Sequence, residues 1–249
     1  MKKILSLILA ITIISCNSSN NTNLSSPDGK INIDFRVDNG VASYSVKKNN
    51  SIIINESEMG ILFSDGTDLS ENLTIISSDK KSFNENWYPL YGEEEKINNH
   101  YNELKISLTN QKNEFDIIFR AYDDGIAFKY VVPEQKNFLK YDIIDEKTEF
   151  NLSSKDSALW IPAFSYRRYE FLYAFSSVDD ISKEFFSKHV EDISYDTLGI
   201  DAAHTPLTIK MNDGSFISIH EANLVDFSSM TIAPRGEGKL EVELYPWAD

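Results

Sequence analysis

The chain has 249 residues, 41% of them hydrophobic and 12% aromatic, which is enough for one large core, and all-β domains of this size are common. Its formal charge of −15 at pH 7 argues against nucleic acid and an anionic membrane surface as partners, because their phosphates would repel it. A neutral ligand such as a sugar, or a cation site, stays compatible with that charge, and general solubility explains it equally well.

The first residues read as an export signal. Lys2 and Lys3 form a basic start, and Ile4–Ile14 is an apolar run too short to span a bilayer. The run ends at Cys16, the only cysteine, so no internal disulfide is possible and stability must rest on the core. A lone cysteine after an apolar run and before a polar segment resembles a bacterial lipoprotein box, although Ile-Ile-Ser before Cys16 departs from the usual pattern. The expectation is a signal peptide over 1–16, with Cys16 lipidated in the bacterial cell envelope as the sole membrane attachment. A plain secretory signal cleaved nearby is the alternative. The lack of an acidic run after Cys16 favours the periplasmic face over the outer surface.

Asn17–Ser25, rich in Asn and Ser, reads as a flexible tether. From Lys30 onward the pattern has period two. Ile31, Ile33, Phe35 and Val37 predict a half-buried strand, and Asn39-Gly40 turns the chain into Ala42, Tyr44 and Val46. Further strands are expected around Leu104–Leu108, Phe115–Phe119, Ile126–Tyr130, Leu159–Pro162, Leu207–Met211, Ser215–Ile219 and Leu240–Leu244. One segment reads as a helix: Ser177 caps it, Asp179 and Asp180 suit its first turn, and Val178, Ile181 and Phe185 share a face. Many short strands with turn signals and almost no helix predict an all-β fold, a two-sheet β-sandwich, as one domain over 26–249.

The densest chemistry lies in Trp87–Leu104, where Trp87, Tyr88, Tyr91 and Tyr101 accompany Glu93, Glu94, Glu95 and an Asn-Asn-His-Tyr-Asn-Glu cluster. Flat apolar rings cover the C–H faces of a pyranose, and amides and carboxylates pair with its hydroxyls. This stretch closely resembles the N-terminal domain of glycoside hydrolase family 97, bacterial α-glucosidases and α-galactosidases. The resemblance continues through Ser26–Val37, Phe119–Tyr130, Leu159–Glu170 and Ser218–Phe227 in the family's order, and covers about Ser26 to Asp249.

The resemblance implies a large supersandwich of the galactose-mutarotase-like kind, followed in the family by a linker and a (β/α)8 barrel that carries the catalytic acid and base. Nothing here has the alternating pattern of such a barrel, so the chain is expected to be a fragment or a truncated product. The resemblance also makes Glu170, in Tyr166-Arg167-Arg168-Tyr169-Glu170, a calcium ligand that reaches the barrel's active site, with an ion pair to Arg167 or Arg168 as the bland alternative. The Arg-Arg-Tyr-Glu form looks like the family's retaining, galactosidase-type members. Glu93, Asn99, His100, Asn102 and Glu103 are placed at or near the sandwich–barrel interface, and His220 and Glu221 are a structural or interface pair. The expected partners are an oligosaccharide or other α-glycoside and the barrel.

Other chemistries fit poorly. Glu93, Glu94 and Glu95 cannot flank one glycosidic bond, because adjacent residues of an extended chain point to opposite faces. Trp87, Tyr91 and Tyr101 suit packing and sugar stacking about equally. His100 and His220 have no metal-ligand spacing. Asp123-Asp124-Gly125 reads as a hairpin turn rather than a calcium loop. There is no Gly-x-Ser-x-Gly elbow and no phosphate-binding glycine loop. Three readings remain: the sandwich of an envelope α-glycosidase, a free-standing carbohydrate-binding lipoprotein, and a non-functional truncation product.

Overall fold

The computed structural model describes residues 21–136, 142–163, 170–191, 199–225 and 227–245. Strands β1 (Asn21–Ser25), β2 (Ile31–Asp38), β3 (Val41–Lys48) and β4 (Ser51–Met59) form an antiparallel meander in chain order. Its turns follow from residues that accept left-handed backbone: Asn39 and Gly40 at φ 50° and 84°, then Asn49 and Asn50 at 50° and 67°. Paired positive φ values match the right-handed twist of the flanking strands. After β5 (Ile61–Phe63), a second meander comprises β6 (Thr74–Trp87), β7 (Ile97–Thr109), β8 (Glu114–Ala121) and β9 (Ile126–Val131).

The second half contains β10 (Ile143–Glu146), which pairs with β5, then β11 (Glu149–Asn151), β12 (Ser157–Trp160) and β13 (Ala174–Ser177). A 3-10 turn (Val178–Asp180) and helix α1 (Lys183–His189) lead to β14 (Ala203–His204), β15 (Leu207–Lys210), β16 (Phe216–Ile219), β17 (Met230–Gly236) and β18 (Lys239–Leu244). These strands make two antiparallel sheets, β11-β18-β17-β14 and β13-β12-β15-β16.

The layers follow from the edges and the rings. β4 meets β11 through Asn151 N donating to Ser57 Oγ at 2.9 Å and Glu58 N donating to Glu149 Oε2 at 3.1 Å, so the first meander continues into the β11 sheet. Phe35 and Tyr44 on this layer pack against Phe119 and Phe128 of the second meander at ring separations of 5.7–5.9 Å. Ala158, Trp160, Leu207 and Ile209 join the same core from the β12 sheet. The result is an all-β sandwich. The alternating runs expected for β2, β3, β7 and β8 are strands with one face buried, and the run expected for β9 is a half-buried strand.

Three expectations are corrected. Residues 21–25 of the expected tether form β1, in register from Asn21↔Arg36 to Ser25↔Asn32. Leu24, 3% exposed, supplies an apolar anchor that the Asn/Ser composition hides. The expected helix from Ser177 is two elements: Ser177 Oγ caps only the 3-10 turn, and buried Ile181 is extended at ψ 97°. The helix starts afresh at Ser182, whose side chain accepts from Phe185 N at 3.1 Å, and it buries Phe186 rather than Phe185. The strand expected to reach Pro162 ends at Trp160, and Pro162, which has no N–H to donate, makes only an isolated bridge to Ala203. The leader with Cys16, and residues 17–20, lie outside the described residues.

Candidate functional site

Glu170 lies on the connection from β12 to β13. Its neighbours Tyr166, Arg167, Arg168 and Tyr169, and so the proposed ion pair, lie outside the described residues. Glu170 is exposed and has no hydrogen bond or ion pair among the described residues. The chain beside it is anchored: Phe171 is 7% exposed and meets Phe186 edge-on at 5.7 Å. A carboxylate held out to solvent by a buried ring one residue on is positioned to serve something outside this core.

The surface around that connection is apolar. Pairing puts Phe175 opposite Leu159 on the outer face of the β13-β12-β15-β16 sheet, and Phe216 opposite Lys210 on the same face. Phe175 and Phe216 are 57% and 65% exposed, and Leu172 and Tyr173 are also largely uncovered. Several large apolar side chains left in water on one sheet face mark an interaction surface.

The Trp87–Leu104 stretch forms most of β7 and a projecting arm. β8 covers β7 only from Asn102 onward, so the pairs Phe83↔Tyr101 through Trp87↔Ile97 extend beyond the sheet as a two-stranded hairpin. At about 3.3 Å per residue the overhang is roughly 16 Å. Its tip exposes Trp87, Tyr88, Leu90 and Tyr91, the last two at 90% and 91%, beside exposed Glu93, Glu94 and Glu95.

Period two divides the residues expected to act together. Asn99 and Glu103 lie on the face with Tyr101, while His100 and Asn102 lie on the opposite one. Asn99 Nδ2 donates to Glu85 Oε1 at 2.9 Å, and Arg120 Nε donates to Glu103 Oε2 at 2.9 Å. Asn102 accepts from Ser82 Oγ at 2.6 Å and donates to Ser25 O at 2.8 Å, which ties down β1. These contacts brace the arm. Tyr101 is buried, stacked on Phe83 at 4.8 Å with the Arg120 guanidinium 4.5 Å from its ring centre, so it packs and its ring is not open to a sugar. Trp87 and Tyr91 remain open. Asp123-Asp124-Gly125 is the β8–β9 hairpin turn, closed by Tyr122 N donating to Gly125 O at 2.8 Å.

His220 is exposed, and its Nδ1 is 3.2 Å from Glu221 O. Glu221 turns inward: it accepts from Thr205 Oγ1 at 2.8 Å and from Met230 N. Near it lies a buried group that the sequence did not disclose. Gly60 N donates to Tyr130 Oη at 3.1 Å, Tyr130 Oη lies 2.7 Å from Thr148 Oγ1, and Thr148 Oγ1 donates to Glu146 Oε1 at 2.6 Å. Because Thr148 spends its single proton on Glu146, Tyr130 must donate to Thr148. Burial pushes the Glu146 carboxyl up to about 7; the negative charges of Glu221 and Asp145 add to the rise and the Thr148 hydrogen bond opposes it. Burial lowers His204, and Glu221 offsets part of that. Among the described residues no group of three or more His, Cys, Asp or Glu is arranged to hold a metal ion.

Fold and surfaces together describe a β-sandwich with a protruding carboxylate beside an uncovered apolar face. The sequence model of the glycosyl-hydrolase 97 N-terminal domain matches residues 24–247, and the chain belongs to that family. A retaining alpha-galactosidase from Bacteroides thetaiotaomicron is 25% identical over 96% of this chain and 35% of its own length. A glycoside hydrolase family 97 enzyme from Pseudoalteromonas sp. strain K8, solved with panose and with acarbose, superposes with a TM-score of 0.79 at 31% identity. That match covers 91% of this chain and 32% of the enzyme's. A beta-arabinopyranosidase with TM-score 0.75 and 20% identity shares the fold. The chain thus spans about a third of the length of the relatives it matches.

Proposed function

We propose that this chain is the N-terminal sandwich of an envelope α-glycosidase of the α-glucosidase or α-galactosidase type. It forms one wall of the active site, docks on a catalytic barrel and lends Glu170 to a shared calcium site. The observation that carries this reading is Glu170 itself, an exposed carboxylate with no ion pair among the described residues, next to a large uncovered apolar sheet face.

Calcium takes six to eight oxygen ligands, roughly, so one glutamate cannot hold it alone. A single hard oxygen donor turned away from its own core fits one contribution to a site completed by another domain. Bound there, calcium would fix sugar hydroxyls and neighbouring carboxylates by charge. The chain's own share is to hold the Glu170 carboxylate at a fixed height above the sheet, through Phe171 packed on Phe186, and to exclude water through the face around Phe175. Proton transfer belongs to the barrel. Cys16 supplies the lipid anchor of this reading.

The test is calorimetric titration of calcium into the chain, wild type and Glu170→Gln, alone and with a family barrel domain supplied in trans. Binding that requires both domains and is lost in the variant is the expected result. Tight binding to the isolated chain, or equal binding by the variant, would remove Glu170 from the metal site.

A further inference from the structure

The outer face of the β4–β11 layer carries a trough well apart from Glu170 and from the arm. Two concavities of about 330 and 540 Å³ share Asn55 and Glu56 and so form one continuous depression. It starts on β2 and β3 at Arg36 and Lys47, crosses β4, and ends at Asn151, Lys239 and Arg235 on β11, β18 and β17. Six strands at about 4.8 Å spacing make it roughly 24 Å long, the scale of an extended ligand rather than of a single small molecule.

Its cations are already matched, and carboxylates outnumber them, since Glu237 also lines the depression. Arg36 pairs with Glu56, Lys47 with Asp34, Arg235 with Glu241 and Glu243, and Lys239 with Glu149. No cation of the trough is left over for a phosphate or carboxylate, and the chain as a whole is strongly acidic. The pairing also fixes planar polar groups. Glu56 Oε1 accepts from Arg36 Nε at 2.8 Å and from Ser43 Oγ at 3.1 Å, while Asn55 Nδ2 donates to Leu152 O at 3.1 Å. Asn151 Nδ2 donates to Glu56 O at 2.7 Å and to Glu149 Oε2 at 2.8 Å. Ile52, 55% exposed, and the methylene stems of the four cations give apolar patches between the polar heads.

We infer that this trough binds a neutral oligosaccharide, as a second carbohydrate site separate from the one Glu170 would serve. Fixed, mutually hydrogen-bonded donors and acceptors with no cation to spare suit a chain of hydroxyls, and the length suits several linked sugars. With no exposed aromatic ring in the trough, binding is weak, in the millimolar range.

Heteronuclear NMR titration of the chain with panose and with the galactose-bearing raffinose, against the polyanion trigalacturonate, tests this directly. The variants are Arg36→Met and Arg235→Met, whose half-exposed ion pairs contribute little to stability, and a Trp87→Ser/Tyr91→Ser control at the arm tip. The expected result is saturable shifts at β3, β4 and β18 with at least one neutral trisaccharide. Each methionine variant weakens binding about fivefold or more, and the tip control leaves it unchanged. Stronger binding of trigalacturonate, no binding of either neutral sugar, or binding abolished only by the tip control would each overturn the inference. None of these outcomes depends on calcium or on a barrel domain, so this site and the one at Glu170 stand or fall separately.

Discussion

Glu146→Gln should flatten the pH dependence of stability near neutrality. In the folded chain the carboxyl titrates at about 7 against an ordinary 4.5, raised first by burial and then by Glu221 and Asp145. Because the folded value is raised, the native state favours the protonated form. The contribution of Glu146 is complete below pH 4.5 and is lost as pH rises through 7. A separation of about 2.5 units at 1.36 kcal/mol each gives a loss of up to about 3 kcal/mol. Glutamine accepts the Thr148 hydrogen bond and cannot ionise, so the variant escapes that loss. Urea unfolding at pH 4.5, 6, 7 and 8 should show the two proteins nearly equal at the lowest pH, with the variant ahead by about 2–3 kcal/mol at pH 8. Other carboxylates, such as Asp28, held low chiefly by its Lys30 partner, shift both proteins alike and cancel in the difference. Parallel curves for the two proteins between pH 5 and 8 would refute the reasoning, and so would a variant less stable at every pH.

Other expectations follow from the packing. Gly238→Ala should cost about 2–4 kcal/mol in chemical denaturation: the residue sits at φ +81°, and an added Cβ would lie 2.7 Å from Leu152 O and the Ser153–Ser154 backbone. Its N–H also donates to Asp179 Oδ1 at 2.8 Å, so the strain reaches the 3-10 turn. Leu24→Asp should cost about 2 kcal/mol or more by putting a charge into the core under β1, read as a lower thermal midpoint; no change would restore the tether reading of 21–25. Tyr44→Phe removes the donor to Glu149 O at 2.9 Å and should cost about 1–2 kcal/mol, measured by urea midpoint. Trp87→Ser with Tyr91→Ser should change stability by less than about 0.5 kcal/mol, since both rings are open to solvent.

The strands that the sequence disclosed most plainly are those buried on one face. Ile31, Ile33 and Phe35, or Leu104, Ile106 and Leu108, alternate because the core takes every second residue. β1 and β6 escaped notice because they are polar along most of their length and show no apolar rhythm of their own, although each pairs with the next strand of the chain, Ile31–Asp38 and β7. The helix broke where Ile181 turned extended, a backbone choice with no side-chain signature. Glu170 became visible only through family resemblance, since one glutamate after two arginines has a simpler reading as a surface ion pair. The period-two rule that separated Glu93, Glu94 and Glu95 applies equally to Asn99, His100, Asn102 and Glu103, and it divides them between two faces. Glu146 gave no local sign at all. Its environment is assembled from Gly60, Tyr130, Thr148 and the negative charge of Glu221, which sequence order keeps far apart.

The surfaces sort by what they still lack. In the trough every cation has its carboxylate, so that face is complete in water and asks only for a ligand that can share its hydrogen bonds. The arm is different. A two-stranded ribbon alone is marginal, and this one is braced by the Tyr101–Phe83 stack and by Asn98 Nδ2 bridging Asn84 Oδ1 and Asn86 Oδ1 at 2.9 and 3.1 Å. Those braces stop short of Leu90 and Tyr91, which gain nothing from the rest of the chain. The sheet face around Leu159, Phe175 and Phe216 is in the same position. Apolar area of that kind is worth about 25 cal/mol for each Å² removed from water. Both surfaces are therefore held in solvent at a standing cost that a docked domain would remove. A domain docked on the arm would also meet three carboxylates at its tip, Glu93, Glu94 and Glu95, and basic side chains would suit that contact.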